Sequence, residues 1–385
     1  MEDLKNVVAL DELRKPKQKK EKEPTQAEVL ITLANDAELF LDPETDLSYA
    51  AIPVGDHREV WPVRNTGFKR WLLQKYWERK GKAPGAQALQ DALGVIGARA
   101  CFEGKPEQVF LRLAQVKDRI YIDLCNEQWE TVEIGAGGWR ILKNPPVKFR
   151  RSKGMLPLPR PENGGKIEDL KNFVNIGTKE DWILTVSWLV AAMRPDGPYP
   201  VLVIQGEQGS AKSTAAKVLR SLIDPNAAPQ RTTPRDERDL AIGANNSWVL
   251  SYDNLSGIPL WLSDALCRVS TGGGFATRTL YENDEETIFT YTRPIVVNGI
   301  DEAINRHDLL DRSLIINLPR IPKNKRRDEG TFWAEFEKAR PKILGALFNA
   351  VAEGLNNNDR VRLESMPRMA DFAKWITAAE PGLPW

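Results

Sequence analysis

Four runs of the chain, VFLRLAQV, RIYIDLC, WETVEI and GWRIL, alternate apolar and polar positions and are separated by KD, NEQ and GAGG, the pattern of an antiparallel meander. Before them, the strand-like runs YAAIPV and REVWPV precede FKRWLLQKYW at helical period and ALQDALGVIGA. Residues 27–153 are therefore expected to form an α+β accessory domain. The stretch GMLPLPRPENGG carries too much Pro and Gly to continue either regular structure and marks a linker over 154–165. Beyond it, IEDLKNFV and KEDWILTVSWLVAAMR read as helices and VLVIQ as a buried strand. Strand and helix then alternate to about Pro319, which predicts a parallel α/β core over 166–330. In GTFWAEFEKARPKILGALFNAVAEGL, Ile343, Leu347, Ala350 and Gly354 fall on one helical stripe, and RMADFAKWITAAE reads as another helix, so 331–385 is expected to be a helical lid. RKPKQKKEKE has no apolar period, and residues 1–26 read as a flexible basic arm.

Composition narrows the class. With 385 residues, 42% hydrophobic and 28% charged, the chain is long enough for two or three domains and is neither wholly disordered nor collagen-like. No apolar run approaches the roughly 18 residues that span a bilayer, and the N-terminus lacks a signal-peptide stretch, so a cytoplasmic protein without a membrane partner is expected. Three cysteines and two histidines are too few and too scattered for a disulfide framework or a zinc knuckle. The net charge of +1 gives no global polyanion signal, so nucleic-acid contacts must come from local patches. Two candidates are Lys148, Arg150, Arg151 and Lys153, and Lys323, Lys325, Arg326 and Arg327.

The strongest chemical signal is VLVIQGEQGSAKSTAAKVLRSL, an apolar strand, a glycine loop and an amphipathic helix in that order. Gly206 and Gly209 let backbone N–H groups around Ser210, Ala211 and Thr214 turn toward phosphate oxygens, Lys212 offers a charge to the β and γ phosphates, and Ser213 a hydroxyl to Mg²⁺. Ala211 stands where the pattern has Gly, and its methyl is tolerable only at negative φ. WVLSYDNLSG presents Asp253 at a strand end as the second magnesium ligand. Asn254 follows it where many hydrolytic proteins have Glu. An amide orients a water and cannot take its proton, so Glu207 or Glu237 is a candidate to assist. RPIVVNGI places Asn298 where a side-chain amide senses the γ-phosphate, and LLDRS places Arg312 where a guanidinium reaches a neighbouring subunit's phosphate.

GEQGSAKS, WVLSYDN, PIVVNG and LLDRS together resemble the AAA+ superfamily, and more closely the MCM-like self-loading helicases and primase-associated helicases of phages, plasmids and staphylococcal cassette elements. The resemblance covers roughly Gly165 to Trp385. It implies a P-loop core with a five-stranded parallel sheet and a helical lid, after a smaller α+β domain, assembled as a ring, usually hexameric, with ATP and Mg²⁺ at subunit boundaries. Asn298 is similar to sensor 1, Arg312 to the arginine finger and Arg368 to the lid arginine of sensor 2. The insertion STGGGFATRTLYENDEETIFTYTRP resembles the pre-sensor hairpin that such helicases point into a central channel, with Phe275, Arg278 and Tyr281 as candidate DNA contacts and an acidic tip that repels phosphate. Family members commonly carry a C-terminal winged helix, whereas this chain reaches TAAEPGLPW close behind the lid and reads as truncated. The function these features imply is an ATP-driven translocase or helicase on single-stranded or forked DNA, in mobile-element or phage replication. The rival reading is an ATP-switched DNA-binding protein or helicase loader that does not unwind, which Asn254 and the near-neutral charge favour.

Overall fold

The structure, a computed structural model, describes residues 23–255, 257–278, 286–289, 291–299 and 306–385. Nearly all of the basic arm and the apex of the hairpin insertion, including Tyr281, lie outside the described residues, as do the side chains of Phe275 and Arg278. The chain divides into two units, one holding the residues up to Ile52 and Trp61–Pro106, the other Pro53–Val60 and Glu107–Trp385.

In the smaller unit, helix α1 (Gln26–Leu33) opens with a reciprocal cap: Thr25 Oγ accepts from the Glu28 N–H and the Glu28 carboxylate accepts from the Thr25 N–H. Strand β1 (Glu38–Asp42) pairs antiparallel with β2 (Leu47–Val54). After β3 (His57–Pro62), most of which belongs to the larger unit, come α2 (Thr66–Lys80) and α3 (Ala86–Phe102), and β4 (Lys105–Pro106) returns parallel to β1. Phe68, Leu72 and Tyr76, four residues apart on α2, are buried, as are Leu93, Ile96 and Ala100 on α3.

The larger unit begins with β5 (Val109–Phe110) and the expected meander of β6 (Leu113–Val116), β7 (Arg119–Asp123), β8 (Thr131–Gly135) and β9 (Gly138–Leu142), followed by β10 (Lys148–Phe149) beside β5. Its inner residues Ile120, Ile122, Val132 and Ile134 pack in one core with Leu189, Leu202, Leu344 and Leu347. The division of the chain thus falls near residue 106, and the meander, grouped by sequence with the N-terminal domain, sits with the larger unit. A buried ion pair holds it there. Arg112 Nε donates to Asp224 Oδ1 at 3.1 Å, both side chains fully buried, while Asp224 Oδ2 accepts from the backbone N–H groups of Trp248 and Val249.

The stretch read as a linker is extended and bound to the core. Leu158 N–H donates to Leu124 O, and Glu162 N–H to Pro341 O. It crosses a helix where a Cβ on Gly345 would meet Glu162 O at 2.0 Å, so only glycine allows the approach. IEDLKNFV, expected as a helix, forms a 3₁₀ turn over Ile167–Asn172.

Helix α4 (Lys179–Ala192) leads to β11 (Val201–Gln205), α5 (Lys212–Ser221), α6 (Glu237–Asn246), β12 (Leu250–Leu255) and α7 (Leu260–Thr271). A hairpin of β13 (Phe275–Arg278) and β14 (Glu286–Phe289) precedes β15 (Ile295–Gly299), α8 (His307–Leu310) and β16 (Ser313–Asn317). The sheet order is β12–β15–β11–β16, all parallel. Alternate residues of β11 enter opposite cores, Leu202 and Ile204 one, Val201 and Val203 the other, so helices cover both faces. Five strands were expected. Among the described residues there are four, and beyond β12 a single parallel bridge, Arg231 to Tyr252, stands where another strand would add. Pro229 and Pro234 flank that bridge and lack the N–H a ladder needs. The long α9 (Glu329–Asn357) buries Ile343, Leu347, Ala350 and Gly354, the predicted stripe, and α10 (Ala370–Ala379) packs on it through Trp375.

Candidate nucleotide-phosphate site

At the C-terminal end of β11 the chain turns through Gly206 (φ 146°) and Gly209 (φ 86°) into α5. A Cβ on Gly206 would lie 2.5 Å from Leu318 O. Ala211 has φ 66° and ψ 33°, so the residue that sequence reasoning admitted only at negative φ is left-handed, and the expectation is corrected. The chain after β16 braces the loop: Ile321 N–H donates to Gly209 O, and the Asn175 amide donates to Ser210 O and Pro319 O. Lys212 Nζ lies over the loop, donating to the carbonyls of Gly206 and Glu207. Ser213 Oγ donates to Asp253 Oδ1 at 2.8 Å, bringing together the two side chains expected to share a cation. Gln230 Nε2, which sequence reasoning missed, also donates to Asp253 Oδ1 at 3.2 Å.

Asn298 ends β15 beside Ile204, so strand register alone brings it to the loop. Its Oδ1 accepts from the Asn254 N–H at 2.6 Å, and its buried Nδ2 has no partner among the described residues. The buried Ser210 Oγ likewise has no partner among the described residues. Asn254 is itself left-handed at φ 54°, a conformation Asn tolerates better than most residues. Of the two candidate assisting carboxylates, Glu237 is paired with Arg268 at 2.6 Å, whereas Glu207 is exposed on the loop.

Beside Ala211 and Thr214 opens a cavity of about 670 Å³ lined by Phe173, Phe332 and Trp333, with Lys171, Lys325 and Arg327 among its lining residues. Phe173 meets Phe332 edge-on at 5.8 Å. Sequence reasoning missed this cavity, since its walls come from segments about 160 residues apart. Arg327 donates to Asn172 O and pairs with Glu335, while the Arg326 guanidinium lies 3.3 Å from where a Cβ on Gly209 would sit. The basic cluster of Lys323, Lys325, Arg326 and Arg327, read from sequence as a DNA patch, therefore adjoins the loop.

The other candidates lie elsewhere. Arg312 O accepts from Val201 N–H at the opposite end of β11 from the loop, a separation of about 16 Å at roughly 3.3 Å per strand residue. Its guanidinium donates to Asp308 O at 2.9 Å and touches Cys267 Sγ at 3.9 Å. Arg368, expected among the nucleotide-binding residues, joins this far cluster, bound to Asp308 Oδ1 at 3.1 Å and to Asp311. On the helix that follows, Trp375 Nε1 donates to Val190 O. The hydrogen bond from Arg368 holds the Asp308 carboxyl below its ordinary range.

Lys148, Arg150 and Arg151, read from sequence as DNA contacts, each have internal partners. Arg151 holds Asp123 through two N–H groups at 2.7 and 2.9 Å and lies 3.8 Å over the Trp129 ring. Arg150 donates to the backbone and side chain of Asn245, and Lys148 lies 3.7 Å from Glu107. No helix among the described residues is long and apolar enough to cross a membrane.

This arrangement defines a parallel α/β protein whose glycine loop, lysine, hydroxyl and carboxylate converge at one end of the sheet. The chain belongs to the family of actinomycete integrative conjugative element replication proteins, whose model matches residues 167–381. It is a replication protein on that ground. No curated protein matches the chain. Among solved structures, the A form apo structure of the NrS-1 C-terminal region is similar at 11% identity and TM-score 0.46, over 93% of this chain and 75% of that one. An apo structure of NrS-1 residues 305–718 gives 12% and 0.45, over 93% and 74%. A structure of JCV helicase with a bound acetamide compound gives 12% and 0.28, over 54% and 67%.

Proposed function

We propose that the chain is an ATP-dependent DNA translocase or helicase that acts as a ring oligomer, hexameric as its AAA+ resemblance implies, in replicating an integrative element. The observation that carries this reading is the 2.8 Å contact of Ser213 with Asp253 at the mouth of the glycine loop, with Asn298 nearby, whose Nδ2 has no partner among the described residues. These are the donors a triphosphate and Mg²⁺ require, and a small oxygen donor set suits a magnesium ion that keeps water and phosphate as its other ligands. When bound, Mg²⁺ neutralises developing charge on the phosphates. Lys212 contributes a cation that moves from the loop carbonyls to phosphate. Asn298 orients the attacking water through its amide, and the aromatic cavity beside Thr214 takes the base. Arg312 is too distant to serve its own loop, so its use as a finger requires an adjoining protomer. The far cluster of Arg312, Arg368 and Asp308 is then the surface offered to that protomer's nucleotide.

The second reading, an ATP-switched loader without unwinding, is favoured by Asn254, since the strand end presents no carboxylate next to Asp253. An ATPase assay with and without single-stranded DNA separates the two. The motor reading expects hydrolysis that DNA stimulates and that Lys212→Ala abolishes. Mass measurement with a non-hydrolysable ATP analogue should show a larger assembly. If hydrolysis is absent, or indifferent to DNA, the motor reading fails and the loader reading stands.

A further inference from the structure

The smaller unit has a polarised charge. Nine basic residues lie in its described part, and seven of them fall between Arg64 and Lys82, with Glu78 the single acid in that stretch and nine acids elsewhere. The stretch therefore carries +6 over 19 residues, and the rest of the unit −7. Most of it is α2, whose inner face is fixed by Phe68, Leu72 and Tyr76. The opposite face presents Arg70 and Trp77, seven residues apart and hence on one stripe; Lys80, exposed in the last turn, follows the tryptophan by three residues on the adjoining flank. Trp77 is 57% exposed, on a helix that already has a complete buried face. Among the described residues neither Arg70 nor Lys80 has an ion-pair partner, whereas Lys75, on the flank, faces Asp36 at 3.6 Å.

A large exposed indole between cations matches single-stranded nucleic acid, whose unpaired bases stack on aromatic rings while its phosphates meet Lys and Arg. A duplex hides its base faces, and the carboxylates of an acidic peptide make no use of an exposed ring. We propose that the exposed face of α2 binds single-stranded DNA, with a base on the Trp77 ring and neighbouring phosphates on Arg70 and Lys80. The proposal rests on the function above only in choosing DNA as the strand.

The test uses the full chain without nucleotide and a fluorescein-labelled oligo-dT of about 15 nucleotides, near the upper site size of single-strand binders, followed by anisotropy over a salt series. Trp77→Ala should weaken binding about tenfold or more, with Trp77→Phe retaining most of the affinity. Arg70→Ala with Lys80→Ala should lower the slope of log affinity against log salt by about 1.4, at about 0.7 per phosphate contact on a single strand. Both sites are exposed, and unchanged melting of the variants separates lost binding from lost fold. Lys212→Ala should lose ATP hydrolysis and keep this binding, so failure of the motor reading and failure of this surface are distinguishable. Wild-type affinity and slope in both variants would overturn the proposal. So would displacement of oligo-dT by poly-glutamate at equal charge concentration, which would make the face a general acidic-partner surface.

Discussion

Ala211 offers the sharpest test of the loop's conformation. Its φ of 66° places an L-residue with a Cβ in the left-handed region at the N-cap of α5, which costs about 1–2 kcal/mol relative to a residue without a side chain. Ala211→Gly removes that strain and returns about 0.4–1 kcal/mol of it through the greater freedom of the unfolded chain. The net expectation is a stabilisation centred on about 0.8 kcal/mol, within a range of about 0–1.6. At about 2–4 °C per kcal/mol for a large domain, the melting midpoint should rise by about 1–4 °C. Ala211→Val should move it the other way by more, since a β-branched side chain suits positive φ least. Urea titrations of the three proteins, followed by far-UV circular dichroism and by nucleotide-independent melting, read the effect directly. If the glycine variant melts at or below wild type while valine is tolerated, Ala211 is not left-handed in solution and the geometry of the loop described above is wrong.

Three further perturbations probe other links. Arg112→Met leaves Asp224 buried without its cation and should destabilise the larger unit by about 3–5 kcal/mol in urea unfolding, whereas a meander folding as part of a separate domain would leave that unit's transition in place. Arg326→Ala should weaken binding of a fluorescent ATP analogue about tenfold, the order of one charge-assisted hydrogen bond, with melting unchanged; equal affinity would remove Arg326 from the phosphate site. The Asp308 carboxyl, held down by Arg368, should titrate in ¹³C NMR below its ordinary 3.8. Its pairing therefore persists at all pH above the ordinary value and is lost only as pH falls through the lowered one. Arg368→Ala should return the midpoint upward, and no movement would mean that the pair does not form in solution.

Local patterns made much of this chain legible. The alternation in RIYIDLC and WETVEI specified β7 and β8, and the stripe through Ile343, Leu347 and Ala350 specified the buried face of α9, because periodicity is fixed by backbone geometry within a few residues. The glycine loop was legible for the same reason: strand, turn and helix are contiguous, and so Lys212 and Ser213 fell where their spacing put them. Asp253 and Asn298 were legible one step further, since parallel strands that end together deliver their last side chains to one edge of a sheet.

What lay between distant segments was not legible. The apolar face of the meander was plain, but the sequence does not say that α9 and the parallel sheet cover it, nor that Arg112 and Asp224, 112 residues apart, meet without water. Arg150 and Arg151 read as free cations until tertiary contacts supplied Asn245 and Asp123. The left-handed φ of Ala211 was not written in its neighbours, and the aromatic cavity depended on Phe173 and Phe332 meeting from distant segments. Residue order alone thus determined which elements form and which end of the sheet carries the chemistry. Only the tertiary structure decided which charges remain available, because a charge is cancelled by whatever partner packing brings within hydrogen-bond reach, and that partner can come from anywhere in the chain.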